Sequence, residues 1–234
     1  MDWSSQCAAI IPCLNEAAAI GPLITAVHRH LPSVIVVDDA STDDTQRIAS
    51  EAGADVVRQP QTLGKGAALI GGWERALERG FSWALTLDGD GQHSPDDIPA
   101  FFDEANTGRA DLIIGNRMAN ANGMPWLRRR VNQWMSRRLS EAAGQLLPDS
   151  QCGYRLLRLD TLCELDLRTT HFEIESEVLL AFVRAGYAVK FVTIQVIYRG
   201  ERSKILPVRD TARWFRWYLR ARRPRVPTSC DLGA

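Results

Sequence analysis

Short apolar runs alternate with amphipathic stretches through the first half of the chain. Residues 7–11 are apolar and break at Pro12, and residues 17–30 follow with Ile20, Leu23, Ile24 and Val27 on one helical face. Residues 34–37 make a second buried strand ending in Asp38-Asp39, and Ser41 or Thr42 can cap the helix that stops at Gly53. A third strand is predicted at 55–57, a helix at 66–79, and a fourth strand at 83–87 that runs straight into Asp88. Pro95 opens another helix, and residues 112–114 make a fifth strand before Gly115. The second half is less regular. It reads as a Trp- and Arg-rich helix over 125–143, a strand over 154–157, a helix over 173–185, a strand over 189–197 and a basic final helix.

Continuous apolar strands between amphipathic helices predict an α/β fold, a mostly parallel central sheet with helices on both faces. Such sheets bind ligands at the carboxyl ends of their strands. The polar clusters fall at those ends: Asn15-Glu16, Asp38-Asp39, residues 88–93 and Asn116-Arg117. In the loop Asp88-Gly89-Asp90-Gly91-Gln92-His93, two carboxylates two residues apart can face one cation, and the glycines permit close approach. Oxygen donors of this kind suit Mg²⁺ or Mn²⁺. The plainer alternative, a solvated Asp-Gly turn, is outweighed by the loop's place at the end of a buried strand, in line with Asp38-Asp39. His93 is expected to be exposed or to touch substrate. Leu63-Gly64-Lys65-Gly66 sets a lysine at a helix start, where amides and charge could face a phosphate.

Composition agrees with an ordinary globular protein: 234 residues, 45% hydrophobic and 24% charged. That excludes a disordered chain, a coiled coil and a disulfide-stapled miniature. Five cysteines, an odd number without paired spacing, are expected to be reduced thiols in the cytoplasm. No signal peptide is expected from the opening residues, and no apolar run is long enough to span a bilayer. The balance of 28 basic against 28 acidic residues hides a division. Between Arg199 and Arg225 ten basic residues face two acidic ones, a local charge of +8, so the remainder, 18 against 26, carries −8.

Pro12-Cys13-Leu14-Asn15-Glu16, residues 36–43, Gly64-Lys65-Gly66, residues 87–93 and Gly115-Asn116-Arg117 occur in order. Together they resemble family 2 glycosyltransferases of the GT-A fold, and within these the dolichol-phosphate or polyprenol-phosphate mannose (hexose) synthase group. Cys152-Gly153-Tyr154-Arg155, residues 172–175 and residues 199–204 extend the resemblance. It implies that Pro12, Leu14 and Glu16 line a nucleotide pocket, with Leu14 where the family commonly has Tyr. Val37 and Asp39 would hold base and ribose, with Asp38 in support. Asp88, Asp90 and Gln92 would hold Mg²⁺ or Mn²⁺ on the diphosphate, with Gly89 close to the sugar nucleotide. Arg117 would meet phosphate or sugar, and Arg199 and Lys204 the pyrophosphate or acceptor phosphate. The spacing between those two is one residue shorter than in the family, which makes Arg202 a rival of Arg199.

The expected reaction is inverting transfer from a nucleotide-diphosphate sugar, GDP-mannose or a UDP-hexose, to a membrane lipid, above all a polyprenyl phosphate. Asp90 and Arg117 are its central residues. A phosphate acceptor needs no general base, whereas a hydroxyl acceptor would need one. Glu173 and Glu175 are the candidates, although both could simply cap the helix that begins there. Less favoured readings are a nucleotide-sugar pyrophosphorylase and a non-catalytic binding protein.

The final helix places Arg209, Arg213, Arg216, Arg220 and Arg223 within an arc of roughly 80°, opposite a Trp-rich apolar face. Trp126, Arg128 to Arg130, Trp134, Arg137 and Arg138 make a second such patch. Both read as interfacial surfaces. The organisation expected is a transferase domain at 1–205, a basic amphipathic helix at 206–223 and a disordered tail at 224–234. The partner is the cytoplasmic membrane surface or a separate membrane subunit; an acidic body without a recognisable module argues against nucleic acid.

Overall fold

The computed structural model describes residues 1–121, 123–197 and 207–222, and the chain divides into two compact units after Glu201. The first unit holds a seven-stranded sheet: β1 (Cys7–Cys13), β2 (Val34–Asp38), β3 (Asp55–Arg58), β4 (Trp83–Thr86), β5 (Leu112–Asn116), β6 (Arg155–Arg158) and β7 (Val189–Thr193). Their order is β3-β2-β1-β4-β6-β5-β7, with β6 antiparallel to both neighbours and the other pairings parallel. The helices of this unit are α1 (Trp3–Gln6), α2 (Ile20–Val27), α3 (Thr45–Glu51), α4 (Lys65–Glu78), α5 (Ile98–Asn106), α6 (Trp126–Ala143), α7 (Leu159–Cys163) and α8 (Ile174–Arg184). The second unit contributes α9 (Pro207–Ala221), in which Trp214 stacks on Tyr218 with ring centres 5.2 Å apart. Arg199, Arg202, Lys204 and the tail from 223 lie outside the described residues.

Strand β2 and all of β1 except Pro12 are buried, as strands covered on both faces must be. Helix α4 lies so close that a Cβ on Gly72 would meet Ile10 Cγ2 at 2.4 Å and Val37 Cγ2 at 3.2 Å. Overpacking at such a contact costs about 1–3 kcal/mol. At the other end, Trp3 stacks flat on Phe102 at 4.5 Å and meets Trp83 edge-on.

Among the boundaries that differ from those expected, three have a clear local reason. Strand β1 continues through Pro12 because β4 ends at Thr86, opposite Ile10, and no strand there needs the missing N–H. Helix α3 begins only at Thr45, since Ser41 Oγ accepts from the Asn15 amide (2.8 Å) and the Thr42 amide donates to Asn15 Oδ1 (2.8 Å). Neither side chain caps the helix. Strand β7 stops at Thr193, after which the Gln195 amide turns to Asp97 Oδ2 (2.9 Å) and the Ile197 amide to the Gln92 carbonyl (2.9 Å).

Candidate active site

From β1 the chain steps outward to β2 and β3, then returns to β4 on the other side of β1. That reversal is a topological switch point, where open α/β sheets form a crevice. The loops after β1 and β2 are laced together there. Besides the Asn15 bonds, the Glu16 amide donates to Thr45 Oγ1 (2.8 Å) and the Ala17 amide to Asp43 Oδ2 (3.2 Å). Asp38, wholly buried, accepts from the Ser41 amide (3.0 Å) and pairs with Arg58 Nη1 at 2.8 Å. Asn15 and Ala40 take left-handed backbone conformations, φ 53° and 60°, that this lacing must hold in place.

Several expected ligand contacts are already occupied by the protein. The Asp39 carboxylate accepts from the amides of Leu63 (2.7 Å) and Gly64 (2.9 Å), so it anchors the loop before α4. Val37 is fully buried, its side chain lying under α4. The Gly64-Lys65-Gly66 turn does not form an open phosphate cradle. A Cβ on Gly64 would lie 2.7 Å from the Thr170 carbonyl oxygen, and one on Gly66 would lie 2.6 Å from the Thr170 carbonyl carbon. The Ala67 amide donates to that oxygen at 3.1 Å. These glycines are small because a neighbouring backbone lies against them.

Lys65 points into the crevice, with Nζ 2.5 Å from Asp88 Oδ1 and 2.6 Å from Glu175 Oε1. A Cβ on Gly153 would meet all three groups, at 2.6 Å from Glu175 Oε1, 2.9 Å from Lys65 Nζ and 3.0 Å from Asp88 Oδ1. Burial alone would lower the Lys65 ammonium, but the two carboxylates outweigh it and hold it above its ordinary value. Burial likewise opposes the charge on Asp88, and Lys65 beside it holds that carboxyl well below the usual range. Asp90 goes the other way: burial, then the charge of Asp88, push it up to about 6. Its Oδ1 accepts from the Gln92 amide at 3.0 Å.

This donor set fits a hard divalent cation. The ionised Asp88 raises the proton affinity of Asp90, and a cation between the two carboxylates relieves that repulsion. Among the described residues no three His, Cys, Asp or Glu side chains form a metal-holding group. A Mg²⁺ or Mn²⁺ here would therefore take its remaining oxygens from Gln92, water and phosphate, as these ions do at phosphate-transfer sites. Gln92 Oε1 also lies 3.5 Å from Arg128 Nη1. Gly89 sits where a Cβ would strike Cys13 Sγ at 2.6 Å, which brings the acidic loop hard against the end of β1 beside Pro12 and Glu16.

Other expectations are corrected. His93 is buried rather than exposed: its ring stacks on Tyr154 at 5.1 Å, and Nδ1 accepts from the Asp88 amide at 3.3 Å. Burial lowers its pKa to about 4, so it is neutral, as that acceptor role requires. Glu175 does not cap α8 but turns to Lys65, and Glu173, at the cap position, makes no side-chain cap bond. Arg117 is buried and grips Asp149 with two bonds, Nε–Oδ2 at 2.8 Å and Nη2–Oδ1 at 2.9 Å. Burial pushes the Asp149 carboxyl up, but the guanidinium overcompensates and holds it below its ordinary value.

Sequence reasoning missed Asp149 altogether, because nothing in Pro148-Asp149-Ser150 marks it. It also gave Arg155 no role. That buried guanidinium donates to the carbonyls of Cys152 (2.7 Å), Ser150 (3.0 Å) and Glu175 (2.5 Å), tying α8 to the segment before β6. An arginine set inside the apolar strand run Tyr154-Arg155-Leu156-Leu157 was the available signal.

A mostly parallel sheet with one inserted antiparallel strand, and a carboxylate pair at its switch point, is the architecture of GT-A nucleotide-sugar transferases. The chain belongs to glycosyl transferase family 2, whose model matches residues 8–164, and it is accordingly a glycosyltransferase. It is 34% identical over 174 residues to an undecaprenyl-phosphate mannosyltransferase of Micrococcus luteus, covering 68% of each chain. It is 29% identical over 212 residues to a UDP-N-acetylglucosamine–dolichyl-phosphate N-acetylglucosaminyltransferase of Methanococcus voltae, covering 81% of this chain and 84% of the relative. The fold matches glucosyl-3-phosphoglycerate synthase of Mycobacterium tuberculosis, crystallised with Mn²⁺, UDP and phosphoglyceric acid. That match has a TM-score of 0.71 and 22% identity, over 93% of this chain and 77% of the other.

Proposed function

We propose that the protein is a metal-dependent inverting hexosyltransferase that uses a nucleotide-diphosphate sugar to glycosylate a polyprenyl phosphate at the cytoplasmic face of a membrane. The observation that carries the reading is the Asp88–Asp90 pair at the end of β4, pressed by Gly89 against the end of β1 and neighboured by Lys65. Mg²⁺ or Mn²⁺, when bound by Asp88, Asp90 and Gln92, supplies neutralisation of the charge that develops on the diphosphate.

The chain's own residues orient the partners. Pro12, Leu14 and Glu16 border the nucleotide side, and Asp39 steadies the loop that closes it. Lys65 pairs with both Asp88 and Glu175, and Asp149 holds Arg117. An acceptor phosphate oxygen attacks the anomeric carbon. The bond to the diphosphate breaks, and the nucleoside diphosphate leaves with the electron pair. The phosphate's second pKa of ~6 makes it nucleophilic at neutral pH without a base. An oxygen of Glu175 is engaged by Lys65 at 2.6 Å, which favours an acceptor of that kind over a hydroxyl. Arg199, Arg202 and Lys204 are proposed phosphate contacts on the resemblance alone.

Both relatives carry a lipid phosphate in their names but differ in sugar, so the names do not choose between GDP-mannose and a UDP-hexose, the two donors proposed. No helix among the described residues is long and apolar enough to cross a membrane, and the Arg-striped α9 is proposed to hold the enzyme at the surface, on lipid or on a separate membrane subunit. A thermal-shift panel of GDP, UDP and their sugar conjugates with Mn²⁺ tests the reading. A saturating ligand at about 100 times its Kd stabilises by about 2.7 kcal/mol. Stabilisation by one base and its loss with chelator are expected; no shift with any nucleotide overturns it.

A further inference from the structure

Lys65, Leu69 and Trp73 follow one another along a single face of α4, four residues apart. Leu69, Trp73, Thr86, Gly153, Glu175 and Val178 line a cavity with about 10 Å³ of room for the centre of a water molecule. That is the space one water needs. Trp73 is 4% exposed, and its Nε1–H is buried without a hydrogen-bond partner among the described residues. A buried indole N–H ordinarily finds an acceptor, because an unpaired donor costs as much as a lost hydrogen bond. Acceptors with capacity to spare stand around the same space. Glu175 gives Oε1 to Lys65 at 2.6 Å, and no hydrogen bond reaches its Oε2 among the described residues. Thr86 Oγ1 donates its proton to the Gly153 carbonyl at 2.8 Å, which leaves its lone pairs open. Arg155 also lines the cavity but is committed to three carbonyls.

We propose that this cavity is a water site, and that its water makes Trp73 a positioning residue for Glu175. An apolar cavity of this size stays dry, whereas one with a donor and two acceptors in its wall holds a water. The water accepts from Trp73 Nε1–H and donates to Glu175 Oε2 and Thr86 Oγ1. Lys65 then holds one oxygen of the carboxylate and the water holds the other, so the group cannot turn about its terminal bond. A carboxylate fixed at both oxygens keeps the Lys65 ammonium in place, and Lys65 in turn sits on Asp88 Oδ1. Two turns of α4 thus carry the link from the core to the acidic loop. What the cluster is for rests on the transferase reading, whereas the water site does not.

The test uses NMR of the full chain, labelled with ¹⁵N in tryptophan and lysine, without nucleotide or metal. The lysines are Lys65, Lys190 and Lys204, so Lys190→Arg and Lys204→Arg identify the Lys65 ammonium signal. In the parent, the Trp73 Nε1–H should show a cross-peak to a long-lived water. Trp73→Phe keeps an aromatic ring and removes the N–H. It should let the Lys65 ammonium exchange its protons about tenfold faster, the worth of one hydrogen bond to a charged group. Val178→Ile keeps the indole, adds a methylene to the cavity wall, and should expel the water with the same effect on Lys65. It decides the matter if Trp73→Phe fails to fold, and the remaining indole signals report the fold of each variant. A parent without the cross-peak overturns the site, as does a cross-peak that survives Val178→Ile. An unchanged Lys65 exchange rate in a folded variant overturns the positioning role, even where the melting temperature falls. If no nucleotide binds the parent yet these results hold, the water site stands and the transferase reading fails. Nucleotide binding without the cross-peak does the reverse.

Discussion

On the β1–β2 side of the crevice, many separate hydrogen bonds tie the loops, most of them made by backbone amides: Asn15 to Ser41 and Thr42, the Glu16 amide to Thr45, the Ala17 amide to Asp43 and the Ser41 amide to Asp38. On the β4–β6 side, buried charges are tied to one another: Lys65 to Asp88 and Glu175, and Arg117 to Asp149. The first arrangement spreads its stability over many bonds of about 1 kcal/mol each, so losing one leaves the others. The second has little redundancy, because removing one partner strands a buried charge at a cost of about 3–5 kcal/mol. The nucleotide side is thus built to tolerate change, and the side that handles developing charge is built to hold fixed charges in one place.

The largest test of that contrast is Asp90→Ala. Transfer should fall at least about 10,000-fold, more than about 5 kcal/mol of transition-state stabilisation, while the thermal midpoint holds. Full activity with the metal removed would reject the role given to the carboxylate pair. Asp149→Asn comes next and acts on stability, with an expected loss of about 3–5 kcal/mol and a drop of roughly 6–20 °C in Tm. The pH dependence has a definite sign. Because the native Asp149 carboxyl sits below its unfolded value, its stabilisation is present above about pH 4 and disappears as pH falls through the lower native value. Denaturant titrations between pH 3 and 7 should show a steeper acid limb in the parent than in Asp149→Asn; identical limbs would remove the pair from the account.

Gly153→Ala should lower transfer by about 10- to 100-fold, roughly 1.4–2.7 kcal/mol, since its Cβ forces Lys65, Asp88 and Glu175 apart. Unaltered steady-state rates would show that this trio can shift freely. The smallest effect belongs to the β1–β2 side: Ser41→Ala should cost about 1 kcal/mol in urea unfolding. A loss as large as that of Asp149→Asn would erase the contrast.

Much of the β1–β2 side is legible from sequence because its parts are local. Asp38-Asp39 follows an apolar run directly, and parallel strands deliver their ends to one edge whatever the intervening helices do. The same logic finds Asp88 and Asp90. What it does not reach is the pairing across distance. Lys65 and Glu175 are 110 residues apart, and neither the glycines around one nor the helix start at the other points to the partner. Both had plausible local roles, a phosphate cradle and a helix cap, and tertiary contact overrode each. His93 misleads for a related reason: a loop histidine looks exposed until Tyr154 arrives to cover it. Asp149 is invisible because a buried ion pair imposes no periodicity.

Strand β6 has a consequence for how the chain comes to be folded. It lies between β4 and β5 in space but follows both in sequence. Until residues 155–158 are synthesised, the facing edges of β4 and β5 have no strand between them, and β5 has no partner strand at all, since β7 comes later still. The interval from the end of β5 to the start of β6 is about 40 residues, roughly 2–8 s at about 5–20 residues per second of translation. For that time the nascent protein displays open strand edges, the surface most prone to wrong pairing. Strand β6 is thus the seal between β4 and β5, and the sheet is complete only when β7 covers the far edge of β5.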